Sequence, residues 1–90
     1  MTSRYFVAFC RKQEDSDAPS RFGFTVPKAL GKAVKRNRIK RRMREAVRAH
    51  LDDLSTEWAI VFNPRRAVLD APFEEVCQEV GRIFARCNQS

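Results

Sequence analysis

Apolar residues recur along this chain with a period of two in some stretches and of three to four in others, and the switches between the two mark out its elements. From Tyr5 to Cys10 the chain is aromatic and apolar on both faces, as a strand buried on one side and partly covered on the other would be. Alternation puts Tyr5, Val7 and Phe9 on one face and Phe6, Ala8 and Cys10 on the other. The polar, proline-containing run from Lys12 to Ser20 predicts the connecting loop of a hairpin. Its second strand would be Arg21–Val26, with Phe22, Phe24 and Val26 on a common face. Pro27 ends that strand, having no N–H to give to a ladder.

Beyond Gly31 the period lengthens. Ile39, Met43, Ala46, Val47, Leu51 and Leu54 fall at the spacing of one helical face, which predicts a helix from about Lys32 to Leu54. Trp58–Phe62 is a short, nearly continuous apolar run and predicts a central strand stopped by Asn63-Pro64. Asp70 then offers an N-cap, Pro72 suits a first turn, and Glu74 and Glu75 complement a helix dipole. Phe73, Val76, Cys77, Val80, Phe84 and Cys87 supply the apolar face of this closing helix. The order β-β-α-β-α predicts a single α+β domain over residues 1–90, a small sheet with helices packed on one side.

Composition narrows the class. Ninety residues can bury only about 60–65% of the unfolded chain's surface, so one two-layer core is expected. A hydrophobic content of 43% beside 32% charged residues belongs to a folded protein and excludes a disordered chain. No apolar run is long enough to span a membrane, and Met1–Tyr5 lacks the pattern of a signal peptide, which points to the cytoplasm and to no membrane partner. Cys10, Cys77 and Cys87 are odd in number and include no Cys-x-x-Cys pair, which argues against a disulfide framework and against a zinc site. Cys77 and Cys87 read as small apolar packing residues on one helix.

The charge is concentrated in one place. Between Lys28 and Arg48 stand ten bases and one acid, Glu45, a net +9, while the rest of the chain holds eight bases and ten acids, a net −2. With Ile39 at zero on a helical projection, Asn37, Arg41, Arg44 and Arg48 fall within roughly 40° of the opposite pole, flanked by Lys40 and Arg38. One face is suited to a core and the other to a polyanion. A merely solvated helix would carry compensating acids at i and i+4, and these are nearly missing. Arginine suits phosphate because its planar fork gives two parallel donor bonds and keeps its charge. A calmodulin-target or membrane-surface helix would need the apolar face that this small domain needs inside.

A catalytic constellation does not assemble from this sequence. His50 is the sole histidine and reads as a packing or helix-end residue. Gly31-Lys32 lacks the other positions of a phosphate loop, and the carboxylates fall mostly where capping and solubility explain them. The aromatic first strand adds a binding clue, since Tyr5 and Phe9 on one sheet face could stack unpaired bases, or equally pack beneath a helix.

Phe22-Gly23-Phe24-Thr25-Val26-Pro27-Lys28, followed by Gly31, Ala33-Val34 and then Arg36-Asn37-Arg38-Ile39-Lys40-Arg41-Arg42-Met43-Arg44-Glu45, closely resembles the signature of the bacterial ribonuclease P protein subunit. Ile60-Val61-Phe62-Asn63-Pro64-Arg65 and Phe73-Glu74-Glu75-Val76 resemble that family's next strand and last helix. The resemblance implies a ribosomal protein S5 domain 2-like fold with a left-handed βαβ crossover. It implies an RNA-based endonuclease that removes the 5′ leader from precursor tRNA, with the catalytic centre in the RNA and magnesium held mainly by RNA. Carried over to this chain, Lys28, Lys35, Arg36, Asn37, Arg38, Lys40, Arg41, Arg42, Arg44 and Arg48 would contact the catalytic RNA, and Tyr5, Val7 and Phe9 would line the leader cleft. No catalytic or metal-ligating residue is implied in the protein, which is expected to be monomeric without RNA. The family usually opens with a basic segment and an aromatic-bearing helix that walls the leader cleft. This sequence begins directly at the first strand, so docking on the RNA is expected in full and leader binding only in part. The alternative is a non-catalytic binding module for ribosomal or other structured RNA; a self-sufficient nuclease is disfavoured by the missing catalytic residues.

Overall fold

The computed structural model describes residues 1–12, 21–53 and 58–88. In chain order these form strand β1 (Phe6–Lys12), strand β2 (Arg21–Phe24), helix α1 (Ala33–Ala49), strand β3 (Trp58–Pro64) and helix α2 (Phe73–Asn88). Short 3₁₀ turns lie at Lys28–Leu30, Leu51–Asp53 and Arg66–Leu69. The α+β order and the two-layer plan are those the hydrophobic pattern predicts.

The predicted β1–β2 hairpin does not form. The sheet order is β1-β3-β2, with β1 antiparallel to β3 from Phe6 opposite Pro64 to Lys12 opposite Trp58, and β2 parallel to β3 from Arg21 beside Ala59 to Phe24 beside Phe62. The physical reason lies in β3, whose apolar run needs a neighbour on each edge. A three-stranded sheet has one central place, and once β3 fills it β1 and β2 cannot pair. β2, α1 and β3 therefore make a parallel crossover unit. Residues 13–20, read as the hairpin loop, lie outside the described residues.

Alternation sends Phe6 and Ala8 of β1, Ile60 and Phe62 of β3, and Phe22 and Phe24 of β2 toward the helices. Phe62 is the hub. Phe6 meets it edge-on at 5.2 Å between ring centroids, and Phe24 stacks on it at 5.8 Å and 15°. Phe22 reaches across the layers to Phe84 of α2 at 5.8 Å. Aromatic pairs of this kind add about 0.5–1.5 kcal/mol each beyond the area they bury. From the helical layer come Ile39, Met43, Ala46 and Val47 of α1 and Val76, Val80, Ile83, Phe84 and Cys87 of α2.

Both helix boundaries depart from expectation. α1 ends at Ala49, not near residue 54, and His50 caps it with its backbone N–H on Val47 oxygen at 3.1 Å. At 100° per residue Leu51 has drifted about 120° from Ile39, so the core does not hold it, and it is exposed. Leu54 lies outside the described residues. Asp70 caps the 3₁₀ turn Arg66–Leu69 instead of α2, and Pro72 stands immediately before α2, accepting the N–H groups of Glu75 and Val76. Gly31 sits at φ 131°, a left-handed conformation that costs glycine little, and a Cβ there would meet the Lys35 side chain at 3.2 Å.

The chain start folds back on the outer edge of β1. Thr2 bridges Val7, the Met1 amino group donates to Ala8 oxygen at 2.8 Å, and the Ala8 N–H donates to Met1 oxygen at 2.8 Å. This covers an edge that would otherwise offer free ladder groups. Tyr5 is displaced by this turn. It lies in the bend before β1 and not on the strand face shared by Val7 and Phe9; it is 6% exposed, and its hydroxyl donates to the Glu75 carboxylate of α2.

Two outcomes follow from this packing. Ile39→Asp should abolish cooperative unfolding and helical circular dichroism, because it buries an unpaired charge at a fully enclosed position, whereas Ile39→Val should cost only about 1 kcal/mol. The hydrogen bond to Glu75, then burial, then the Glu75 charge, raise the Tyr5 pKa above its ordinary value of 10.0. A raised folded-state value means that this contribution to stability is full below pH 10.0 and is lost as pH rises through the folded pKa. The chain has one tyrosine, so phenolate absorbance reports it directly. Its midpoint should lie above 10.0 and fall toward it in Glu75→Ala; an unchanged midpoint would contradict the contact.

Candidate nucleic-acid interface

The surface of α1 opposite Ile39 is a basic groove. Asn37, Lys40, Arg41, Arg44, Glu45 and Arg48 line a shallow hollow of about 430 Å³. These residues sit together because steps of three and four return to one side of a helix, and the buried side is fixed by Ile39, Met43, Ala46 and Val47. Glu45 is the one carboxylate among the six. The start of α1 reinforces the sign. It has no side-chain cap and no acid in its first turn, so Lys35 and Arg36 stand where the helix dipole is already positive.

The predicted contact residues separate into two groups. Lys28, Lys35, Asn37, Arg38, Arg41, Arg44 and Arg48 are exposed, and Lys40 is half-buried within the groove. Arg42 is turned the other way. Its Nη2 donates to the backbone oxygen of Ala71, and its guanidinium lies 5.9 Å from the Phe73 ring centroid, so it ties α1 to the start of α2. Arg36 is half-buried as well, with its Nε enclosed and unpaired among the described residues. The projection that places the groove explains both: Arg36 and Arg42 fall about 60° to either side of Ile39, on the shoulders of the apolar stripe.

A second surface lies on the outer face of the sheet. Phe9 is 57% exposed and stands beside Val61, itself 42% exposed, with Gly23 on the other side of Val61 in the same row. In the next row Arg11 and Arg21, both exposed, flank Ala59, and Val7 pairs with Asn63. An accessible aromatic ring on an apolar row bordered by arginines can stack an unpaired base and hold its phosphate. Of the residues expected to line a leader cleft, Val7 and Phe9 share this face, and Tyr5 does not. Val61, Gly23, Arg11 and Arg21 share it without having been picked out from the sequence. Their signal was period-two alternation, which needs the β3 register before it can bring them together.

His50 does not enter either surface. Its ring packs on α2 at Gly81, where a Cβ would stand 3.1 Å from the imidazole Cε1.

The ribonuclease P family model matches residues 1–88. The ribonuclease P protein component of Symbiobacterium thermophilum is 43% identical over 86 residues, covering 96% of this chain and 74% of that one. That of Carboxydothermus hydrogenoformans is 34% identical over 90 residues, covering 100% and 78%. That of Brucella suis is 41% identical over 78 residues, covering 80% and 55%. In three dimensions the RNase P protein from Thermotoga maritima aligns with a TM-score of 0.82 at 29% identity, over 96% of this chain and 80% of that one. A Staphylococcus aureus RNase P protein mutant with defective mRNA degradation activity aligns with a TM-score of 0.79 at 27% identity, over 98% and 73%. Sequence and fold thus agree over nearly the whole length, and the chain belongs to the family of the ribonuclease P protein component, part of a tRNA-processing enzyme.

Proposed function

We propose that this chain is a non-catalytic subunit that docks on ribonuclease P RNA through the outer face of α1 and holds the single-stranded 5′ leader of precursor tRNA on the outer face of the sheet. The observation that carries the reading is the groove along α1, whose four cations and one amide are relieved by one carboxylate. Such a surface gains from displacing counterions on a phosphate backbone. Lys28, Lys35, Arg38, Lys40, Arg41, Arg44 and Arg48 meet the RNA with Asn37, while Arg42 keeps α1 seated against α2.

The phosphodiester chemistry belongs to the RNA. Magnesium, implied by the family, finds no suitable donor set in the groove, since Glu45 stands there among cations that would repel a metal ion. Adding the chain to a bacterial ribonuclease P RNA at low magnesium should accelerate precursor cleavage only when both are present. Acceleration absent with ribonuclease P RNA, together with tight binding to ribosomal RNA, would favour a general structured-RNA module.

Neutralising about six phosphates predicts a loss of roughly a thousandfold in RNA affinity between about 50 and 200 mM salt. Arg41→Ala and Arg44→Ala should each lower the salt slope by about 1 and leave the melting temperature unchanged. Arg42→Ala should do the opposite, keeping the slope but losing about 1 kcal/mol of stability, or some 4–8 °C in melting temperature for a domain this small. Equal effects of the three variants would contradict the division.

On the sheet, Phe9→Ala should cost about 1 kcal/mol of the preference for precursor over mature tRNA, roughly fivefold, as loss of one base stack predicts. Tyr5→Phe should leave that preference intact. Holoenzyme affinities for tRNA with and without leader measure both.

A further inference from the structure

Cys10 and Cys87, separated by 77 residues in sequence, meet sulfur to sulfur at 3.0 Å, the Cys87 thiol donating to Cys10. Both are free, and that spacing is about 1 Å longer than a disulfide bond. Cys10 is on β1, an edge strand of the sheet, and is half-buried, while Cys87 is enclosed in the last turn of α2. Cys77 is excluded from the pair, since it lies ten residues back along α2, about 15 Å along the axis. We propose that Cys10 and Cys87 are a reversible oxidation site, closing to a disulfide when the protein meets a two-electron oxidant of the peroxide class.

The geometry assigns the roles. Cys10, the less buried of the two thiols, attacks a peroxide oxygen as its thiolate. The O–O bond breaks, water leaves, and Cys10 carries a sulfenic acid. The Cys87 sulfur then attacks the Cys10 sulfur, the S–O bond breaks, and the hydroxide leaves as water with the Cys87 proton. Two thiols thus lose two electrons and two protons, and one peroxide becomes two waters. Burial, then the hydrogen bond and charge of Cys10, push the Cys87 pKa up to about 12, so Cys87 suits the resolving role and not the first attack.

The bond would join the first strand to the last helical turn. It lies on the core side of the sheet, away from Phe9 and from the outer pole of α1, so it should change stability and not RNA docking. Closing so long a loop predicts a melting temperature at least about 10 °C higher in the oxidised protein.

The test is mild hydrogen peroxide treatment of the full chain, followed by intact mass, alkylation of free thiols, peptide mapping and melting. The expected product is a monomer two hydrogens lighter, with Cys77 alone alkylated, the Cys10 and Cys87 peptides joined, and reversal by dithiothreitol. It should melt higher and bind ribonuclease P RNA within about twofold of the reduced protein. Cys77→Ser should preserve the product, and Cys10→Ser, at a half-exposed position, should abolish it. A disulfide that includes Cys77, a covalent dimer, stable over-oxidation of Cys10 beside a free Cys87, or an unchanged melting temperature would overturn the proposal. The mapping on unsubstituted protein decides even where a Cys87 variant fails to fold.

Discussion

Everything in this small domain depends on one helix serving two surfaces at once. α1 contributes Ile39, Met43, Ala46 and Val47 to the core shared by sheet and helices, and those positions hold its opposite side outward. Burying Ile39, Met43 and Val47 contributes about 1.5–3 kcal/mol each, and the smaller Ala46 less. Like-charge neighbours such as Lys40 and Arg44, or Arg44 and Arg48, oppose the helix by only about 0.2–0.5 kcal/mol a pair. Burial wins, so the fold can display a cationic surface that would not persist on an isolated peptide. The residual repulsion is what a polyanion removes.

The same arrangement sorts arginines that look alike in sequence. The run from Arg36 to Arg44 carries charge at six of its nine positions, yet the helix turns some of it inward. Arg42 spends its guanidinium on the Ala71 oxygen and the Phe73 ring, and so fixes how α1 meets α2. The groove residues have the opposite character, with Asn37, Arg41, Arg44 and Arg48 exposed around a hollow. Charge density alone cannot separate the two roles; angular position about the helix can. The sheet's outer face is a third kind of surface, apolar at Phe9 and Val61 and cationic at Arg11 and Arg21, and it faces away from the helical layer.

Periodicity makes the helix faces, the Phe22–Phe24–Val26 face and the central place of β3 legible in the sequence. What it could not reach was pairing between distant segments. The polar run after Lys12 suggested a hairpin, but the apolar demand of β3 for two neighbours overrode that local signal. Tyr5 followed the alternation of β1 in sequence and left it in space, because a turn at Met1–Tyr5 points its ring toward Glu75. Arg42 was legible in principle, since its angle from Ile39 is fixed by helix geometry, but a family contact set carried over residue by residue hides that angle. Alternation and helical period put Cys10 and Cys87 each on an apolar face, but no spacing rule links residues from the two ends of the chain, so their meeting was not legible.

The division of α1 into an inner and an outer face is tested most directly by where the RNA touches the protein. A photo-reactive amino acid placed at Arg44, at Arg48, or at Glu79 of α2, each in otherwise unchanged protein, would be assembled with ribonuclease P RNA and irradiated. Positions 44 and 48 should crosslink strongly to the RNA and position 79 weakly. Strong crosslinking from position 79 with none from 44 and 48 would contradict the account.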